Sequence, residues 1–251
     1  MDIDYYTFML VDNIAITSGW ENVSKLNNTC IEISSALHHF RGFIQLVKKE
    51  QYKLSFSSST LSEELAKQYS ESSLAQIDGI DTLRLILKKA SVLASVLPDT
   101  PLQIYLEKIK NLNIDDTTIK NEVTQRIGQT CYRDALIKYW NGKCALTGLD
   151  IPELLYASHA KPWADCTTAT ERLNVFNGLL LESRFDKLFD QGYISFANDG
   201  RILISPVLTP SQLQLLGLYP SLQIRRLRPE HFVFLQYHRE HIFKKNKLVS
   251  T

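Results

Sequence analysis

The chain has 251 residues, of which 44% are hydrophobic and 22% charged, and its formal net charge is +1. Such a chain makes one large domain or two small ones of ordinary soluble composition. A generally sticky polycation is excluded, and so is a spanning helix, since no apolar run approaches the ~18 residues that one requires.

The charge is unevenly spread. Residues 1–110 carry 11 Lys+Arg and 13 Asp+Glu, a balance of −2, whereas residues 111–251 carry 17 and 14, a balance of +3. Residues 224–247 alone hold 7 basic and 2 acidic residues, a balance of +5. That segment suits either a local phosphate-binding face or a solvated helix flank. Cys30, Cys131, Cys144 and Cys166 form no C-x-x-C pair, and the acidic N-terminus lacks the basic start of a secretory signal. The expectation is a reduced, cytoplasmic protein without a disulfide framework.

In chain order, Tyr5–Val11, Thr29–Ser34, His39–Val47 and Gln51–Phe56 are β-branched or aromatic runs broken by polar turns, and each predicts a strand. Leu61–Tyr69 and Gly79–Leu97 have helical spacing, with Pro98 and Pro101 closing the second and a further helix over Leu102–Asn111. Asn111–Thr118 is polar and Asp-rich and reads as a domain boundary, separating a mixed α/β domain over 1–112 from a domain over 119–251. Ile119–Trp140 predicts one long helix. Cys144–Thr147 and Leu154–Ser158 predict short strands, Glu171–Asn177 a loop, and Leu179–Phe189 a segment that includes a helix ended by Gly192. Tyr193–Phe196 and Arg201–Ser205 form a hairpin around Asn198-Asp199-Gly200, and Pro229 starts a helix that runs to about Lys245. The whole is an α+β chain.

The chemistry concentrates in three segments: Ser158-His159-Ala160-Lys161-Pro162-Trp163, then Asn177-Gly178-Leu179-Leu180-Leu181, then Phe185-Asp186-Lys187-Leu188-Phe189-Asp190. A lone histidine is more often structural than catalytic. Here His159 follows directly on a strand, Asn177 lies 18 positions on, and Asp186 nine beyond that, with Asp190 one helical turn further on the same side. Histidine titrates near neutrality and suits a general base. Two carboxylates a turn apart suit a hard divalent cation, although alone they would equally suit a solvated helix face. His238 and His241 lack a third ligand and read as satisfied or surface histidines.

These segments, with Arg126-Ile127-Gly128-Gln129, Cys144-x-x-Thr147-Gly148 and Ile194-Ser195-Phe196, resemble the HNH (ββα-metal) endonucleases, in particular their restriction-type branch. The third letter departs from the general pattern: Asp186 stands for the last histidine, giving H-N-D. The resemblance covers roughly residues 120–245 and implies a ββα-metal nuclease domain that hydrolyses DNA with Mg²⁺ or Mn²⁺. It implies His159 as the base, Asn177 as the residue that holds the loop, and Asp186 with Asp190 at the metal. Lys161, Arg184 and Lys187 are then the expected DNA contacts. Ser158 stands where many members carry a metal-binding aspartate, which shifts ligation toward Asp186, Asp190 and water. Trp163 is either a packing anchor or a groove wedge. The N-terminal half resembles nothing specific; target recognition, often of modified DNA, is its role by position alone. Two readings stand beside a restriction or anti-phage endonuclease: a nuclease gated by a signal that the N-terminal half binds, and a non-catalytic DNA-binding module that keeps the fold. One ββα site cuts one strand, so a double-strand break implies a homodimer or two visits.

Overall fold

The computed structural model describes residues 2–69, 74–110, 112, 117–224 and 226–245. The chain divides into two compact units, Met1–Thr100 and Pro101–Thr251. The division falls between Thr100 and Pro101, ahead of the polar Asn111–Thr118 stretch, most of which lies outside the described residues. Among the described residues, no helix is long and apolar enough to cross a membrane.

The first unit is an antiparallel meander flanked by helices. Helix α1 (Tyr5–Thr17) leads into strands β1 (Asn22–Lys25), β2 (Cys30–Ser35), β3 (His38–Lys48) and β4 (Gln51–Phe56). Helix α2 (Ser59–Tyr69), the short β5 (Ile77–Asp78) and helix α3 (Ile80–Ala94) follow. The five strands lie in the order β1-β2-β3-β4-β5, each antiparallel to the next. Burial alternates along β3, so Phe40, Ile44 and Leu46 share one face with Ile31, Ile33, Tyr52 and Leu54 in the core. Trp20 is fully buried and donates its Nε1–H to the Leu87 carbonyl of α3 at 3.0 Å.

One expected strand is a helix. Tyr5–Val11 forms the first turns of α1, started by Asp4, whose Oδ1 accepts from the Thr7 amide at 2.7 Å. Tyr5 and Tyr6 are 80% and 75% exposed, so their aromatic character reports no buried face; Val11, Ile14 and Ala15 carry the packing at helical spacing.

The second unit opens with α4 (Thr100–Lys110), whose first residue closes the preceding unit, and the long α5 (Thr117–Tyr139). Strand β6 (Leu155–His159) pairs antiparallel with β7 (Gly178–Glu182), which runs directly into α7 (Ser183–Asp190). This β6–β7–α7 succession is a ββα unit, in register His159 to Gly178 and Leu155 to Glu182. The connection between the strands is not an open loop: it holds α6 (Ala169–Leu173), capped by Thr168, and a 3₁₀ turn over Val175–Asn177. Cys144–Thr147, expected as a strand, is a turn, in which the Cys144 Sγ accepts from the amides of Thr147 and Glu182. The hairpin β8 (Ile194–Phe196) and β9 (Ile202–Ile204) forms around Asp199-Gly200, followed by α8 (Pro210–Leu216) and α9 (Pro229–His241). The last of these ends before the expected Lys245.

Candidate active site

His159, Asp186 and Asp190 line one cleft of about 340 Å³, with Ser158, Pro162 and Trp163. The ββα unit puts them there. His159 ends β6, while α7 packs Phe185, Leu188 and Phe189 into the core and so turns Asp186 and Asp190 toward β6.

His159 is held on three sides. Its ring stacks on Tyr132 of α5 with centroids 3.8 Å apart and meets Trp163 edge-on at 5.7 Å. Its Nε2 lies 2.9 Å from the Arg172 carbonyl oxygen. A carbonyl only accepts, so Nε2 carries the proton and Nδ1 keeps the free lone pair. Burial pushes the imidazole down to about 4, against a smaller upward pull from the Arg172 carbonyl. The ring is therefore neutral near pH 7 and able to accept a proton.

Asn177 is fully buried and does not line the cleft. Its Oδ1 accepts from the Lys161 amide at 2.8 Å, and its Nδ2 donates to the carbonyls of Lys161 and Glu171, each at 3.2 Å. Its backbone carbonyl accepts from the Tyr132 hydroxyl at 3.0 Å and the Ala160 amide at 3.1 Å. The side chain thus ties the segment after His159 to the end of α6. Asn174, three residues upstream, caps the 3₁₀ turn by accepting from the Phe176 amide.

The carboxylates differ. Asp186 accepts a 2.6 Å hydrogen bond from the Ser158 hydroxyl, and burial raises it above the usual carboxylate range despite that bond. Asp190 is open to solvent at its edge, yet the protein around it, and secondarily the charge of Asp186, lift it to about 6. Lys187 between them is exposed and offsets part of that charge. Two hard oxygen donors, one of which raises the proton affinity of the other, fit a divalent cation, which would relieve the charge of Asp186 on Asp190. Among the described residues no three His, Cys, Asp or Glu side chains form a ready cage. The fit is to a divalent ion that keeps several of its waters and takes one or two carboxylates.

The expected DNA contacts differ in what holds them. Lys161 is tied to Glu171 at 3.0 Å with its side chain only 16% exposed, and it does not line the cleft. Arg184 pairs with Glu182 at 3.1 Å and lies over the Phe185 ring at 4.7 Å. Lys187 is exposed beside the carboxylates.

Residues 144–197 match the model of the HNH endonuclease family. The second unit contains an HNH nuclease domain. No curated protein matches the chain. The matched span runs from Cys144 of the turn to Ala197 past β8 and so contains the ββα unit whole. The substrate class of an HNH domain is nucleic acid, and its reaction is hydrolysis.

Three supports of the HNH site were not singled out in the sequence. Tyr132 braces both His159 and the Asn177 carbonyl; Gly178 must lack a Cβ because one would collide with the Tyr132 hydroxyl. Arg172 donates from Nε to the Trp163 carbonyl and from Nη2 to that of Cys166. Glu171 accepts from Thr167 and Lys161. The available signal was Gly128 with Tyr132, four apart on α5, a small residue and an aromatic on one face. His238 is a satisfied core histidine, with Nδ1 3.0 Å from Ser195 Oγ and Nε2 3.0 Å from the Phe189 carbonyl.

Proposed function

We propose that the protein is a metal-dependent DNA endonuclease of restriction or anti-phage type, with His159 as general base. The observation that carries this reading is a neutral imidazole, its Nδ1 lone pair free, on the same cleft as two carboxylates of raised proton affinity. In the reaction, an attacking water forms the new P–O bond and gives its proton to His159 Nδ1. The opposite P–O ester bond breaks, and the leaving oxygen takes a proton from solvent. Asp186 and Asp190 would hold Mg²⁺ or Mn²⁺. A bound divalent ion supplies charge neutralisation at the scissile phosphate. The anionic phosphate favours the imidazolium and so raises the basicity of His159 when substrate arrives. Asn177 holds the segment that carries the base, and Lys187 and Arg184 meet the phosphate backbone.

For the N-terminal unit we favour target recognition or signal sensing; its 9 Lys+Arg and 12 Asp+Glu over residues 1–100, a balance of −3, suit neither a broad phosphate grip nor polycationic wrapping. The test is incubation of methylated and unmethylated plasmid with the protein in Mg²⁺, Mn²⁺ or EDTA. Cutting that requires the divalent ion supports the enzyme, and selectivity for modified DNA supports a reading N-terminal unit. Equal cutting in EDTA would overturn the metal-dependent mechanism. Absence of cutting under every condition, with DNA still bound, would favour a binding module.

A further inference from the structure

A second hollow of about 250 Å³ lies on the α5 side of His159, lined by Gln129, Tyr132, Arg133, Ala157, His159 and Trp163. It shares Ala157, His159 and Trp163 with the carboxylate cleft, so the two hollows meet across the imidazole. Their charges are opposite. The first holds Asp186 and Asp190; among the described residues, the formally charged side chain that lines the second is Arg133. Arg133 is fixed in place, donating from Nη1 to the Leu155 carbonyl at 2.7 Å and from Nη2 to that of Pro152 at 3.3 Å.

Arg126, Gln129 and Arg133 are spaced i, i+3 and i+7 and so lie along one face of α5. Arg126 and Gln129 are both exposed. The Gln129 amide, which both donates and accepts, the Arg133 guanidinium and the wall of Trp163 therefore line a hollow that opens beside the base, and Arg126 lies outside it, one turn back on the same helix face. A strand that brings a phosphate to His159 must continue past it. On the α5 side its next phosphate meets the positive charge of Arg133.

We propose that this hollow is a binding subsite for the DNA strand being cut, taking the nucleotide next to the scissile phosphate, with Arg126 and Arg133 on its phosphate and Gln129 on its sugar or base edge. The inference rests on the endonuclease reading above. Contacts of this kind position the strand without reading its sequence.

The test uses the full chain and a labelled DNA duplex. Two variants, Gln129→Glu and Arg126→Ala, alter exposed positions, and Gln214→Glu on α8 supplies the same charge change away from both hollows. Loss of one charge-assisted contact corresponds to roughly a tenfold change in binding. Gln129→Glu should therefore raise KM and the Kd in EDTA about tenfold with kcat kept. Arg126→Ala should lower the slope of log Kd against log salt by about one. Gln214→Glu should leave both parameters alone. Wild-type KM and salt slope in the α5 variants of an active enzyme would overturn the subsite and leave the nuclease reading standing. So would an equal rise in KM from Gln214→Glu, which would make the effect one of total charge. A wild-type protein that neither binds nor cuts DNA would overturn both.

Discussion

At the scale of the residue, the site turns on how His159 is held. His159→Ala should lower the cutting rate by roughly 10²-fold or more while DNA affinity stays nearly unchanged; single-turnover cutting with a parallel binding isotherm measures both. Tyr132→Phe keeps the stacked ring and removes only the hydroxyl bonded to the Asn177 carbonyl, which retains the Ala160 amide. We expect about 1 kcal/mol of lost stability in denaturant, with a several-fold fall in kcat and an unchanged KM. Protonation adds a third prediction. Burial pushes His159 and His238 down to about 4, so between 6.5 and 4 the unfolded chain binds protons that the folded chain does not. Both therefore withdraw stability as pH falls through that window. Asp190, lifted to about 6, acts in the opposite sense, since the folded chain keeps a proton there that the unfolded chain releases. Two histidines outweigh the one strongly raised carboxyl. Denaturation midpoints should fall from roughly pH 7 to pH 5, less steeply in His159→Gln by about one proton.

At the scale of the element, α5 is more than a scaffold. Its face at Gly128 receives the Trp163 ring, and a Cβ there would come within 2.7 Å of the indole Cη2. Trp163 has little room to retreat, since the Arg172 guanidinium lies 5.7 Å from its ring and His159 meets it edge-on. This contact favours the packing role for Trp163. Helix propensity alone would make Gly128→Ala stabilising by up to ~1 kcal/mol. The steric conflict is expected to win. The variant should melt at a lower temperature than the parent by near-ultraviolet circular dichroism, and it should cut more slowly because the wall of the base is displaced. A higher melting temperature with unchanged cutting would show that Trp163 moves freely. The element also explains why so much of the site was legible. The strand that leads into His159 and the one-turn spacing of Asp186 and Asp190 are local in sequence, and the pleat and helical turn convert them directly into faces. The second strand, β7, was not legible, because its Gly-Leu-Leu-Leu run is buried on both sides and does not alternate. The order inside the β6–β7 connection was not legible, because it depends on Thr168 and Asn174 capping short helical turns between polar residues that also suit a loop.

At the scale of the whole molecule, the two compact units suggest separable tasks. A fragment beginning at Pro101 should be soluble and cooperative, as it contains the HNH domain together with α5, the β8–β9 hairpin and α9. It should cut DNA with less selectivity than the full chain. Limited proteolysis and cutting of a mixed plasmid pool check this. An insoluble fragment would make the units one folding entity, and a soluble fragment with full selectivity would remove the N-terminal unit from recognition.

The sequence by itself determined the β-rich first unit from β2 to β4, the long α5, the strand before His159 and the helix that carries Asp186 and Asp190, because period-2 and period-3.6 patterns are local properties of the chain. Strand β7 was not legible, since Gly178–Leu181 is buried throughout and shows no alternation. Local propensity misread Tyr5–Val11, where a cap and a buried face three and four residues apart prevailed over aromatic content. Only the tertiary structure decided which groups face the cleft and which stand behind it. Lys161 lies in the same segment as His159 and Asn177 in the next, yet one is consumed by Glu171 and the other by the backbone it ties. Tyr132 and Arg172 reach the imidazole from 27 and 13 positions away, 159 − 132 and 172 − 159, a proximity set by how α5 and α6 pack on the ββα unit. The depressed basicity of His159 and the raised proton affinity of Asp190 likewise come from burial and neighbouring charge, which arise only when those elements close together.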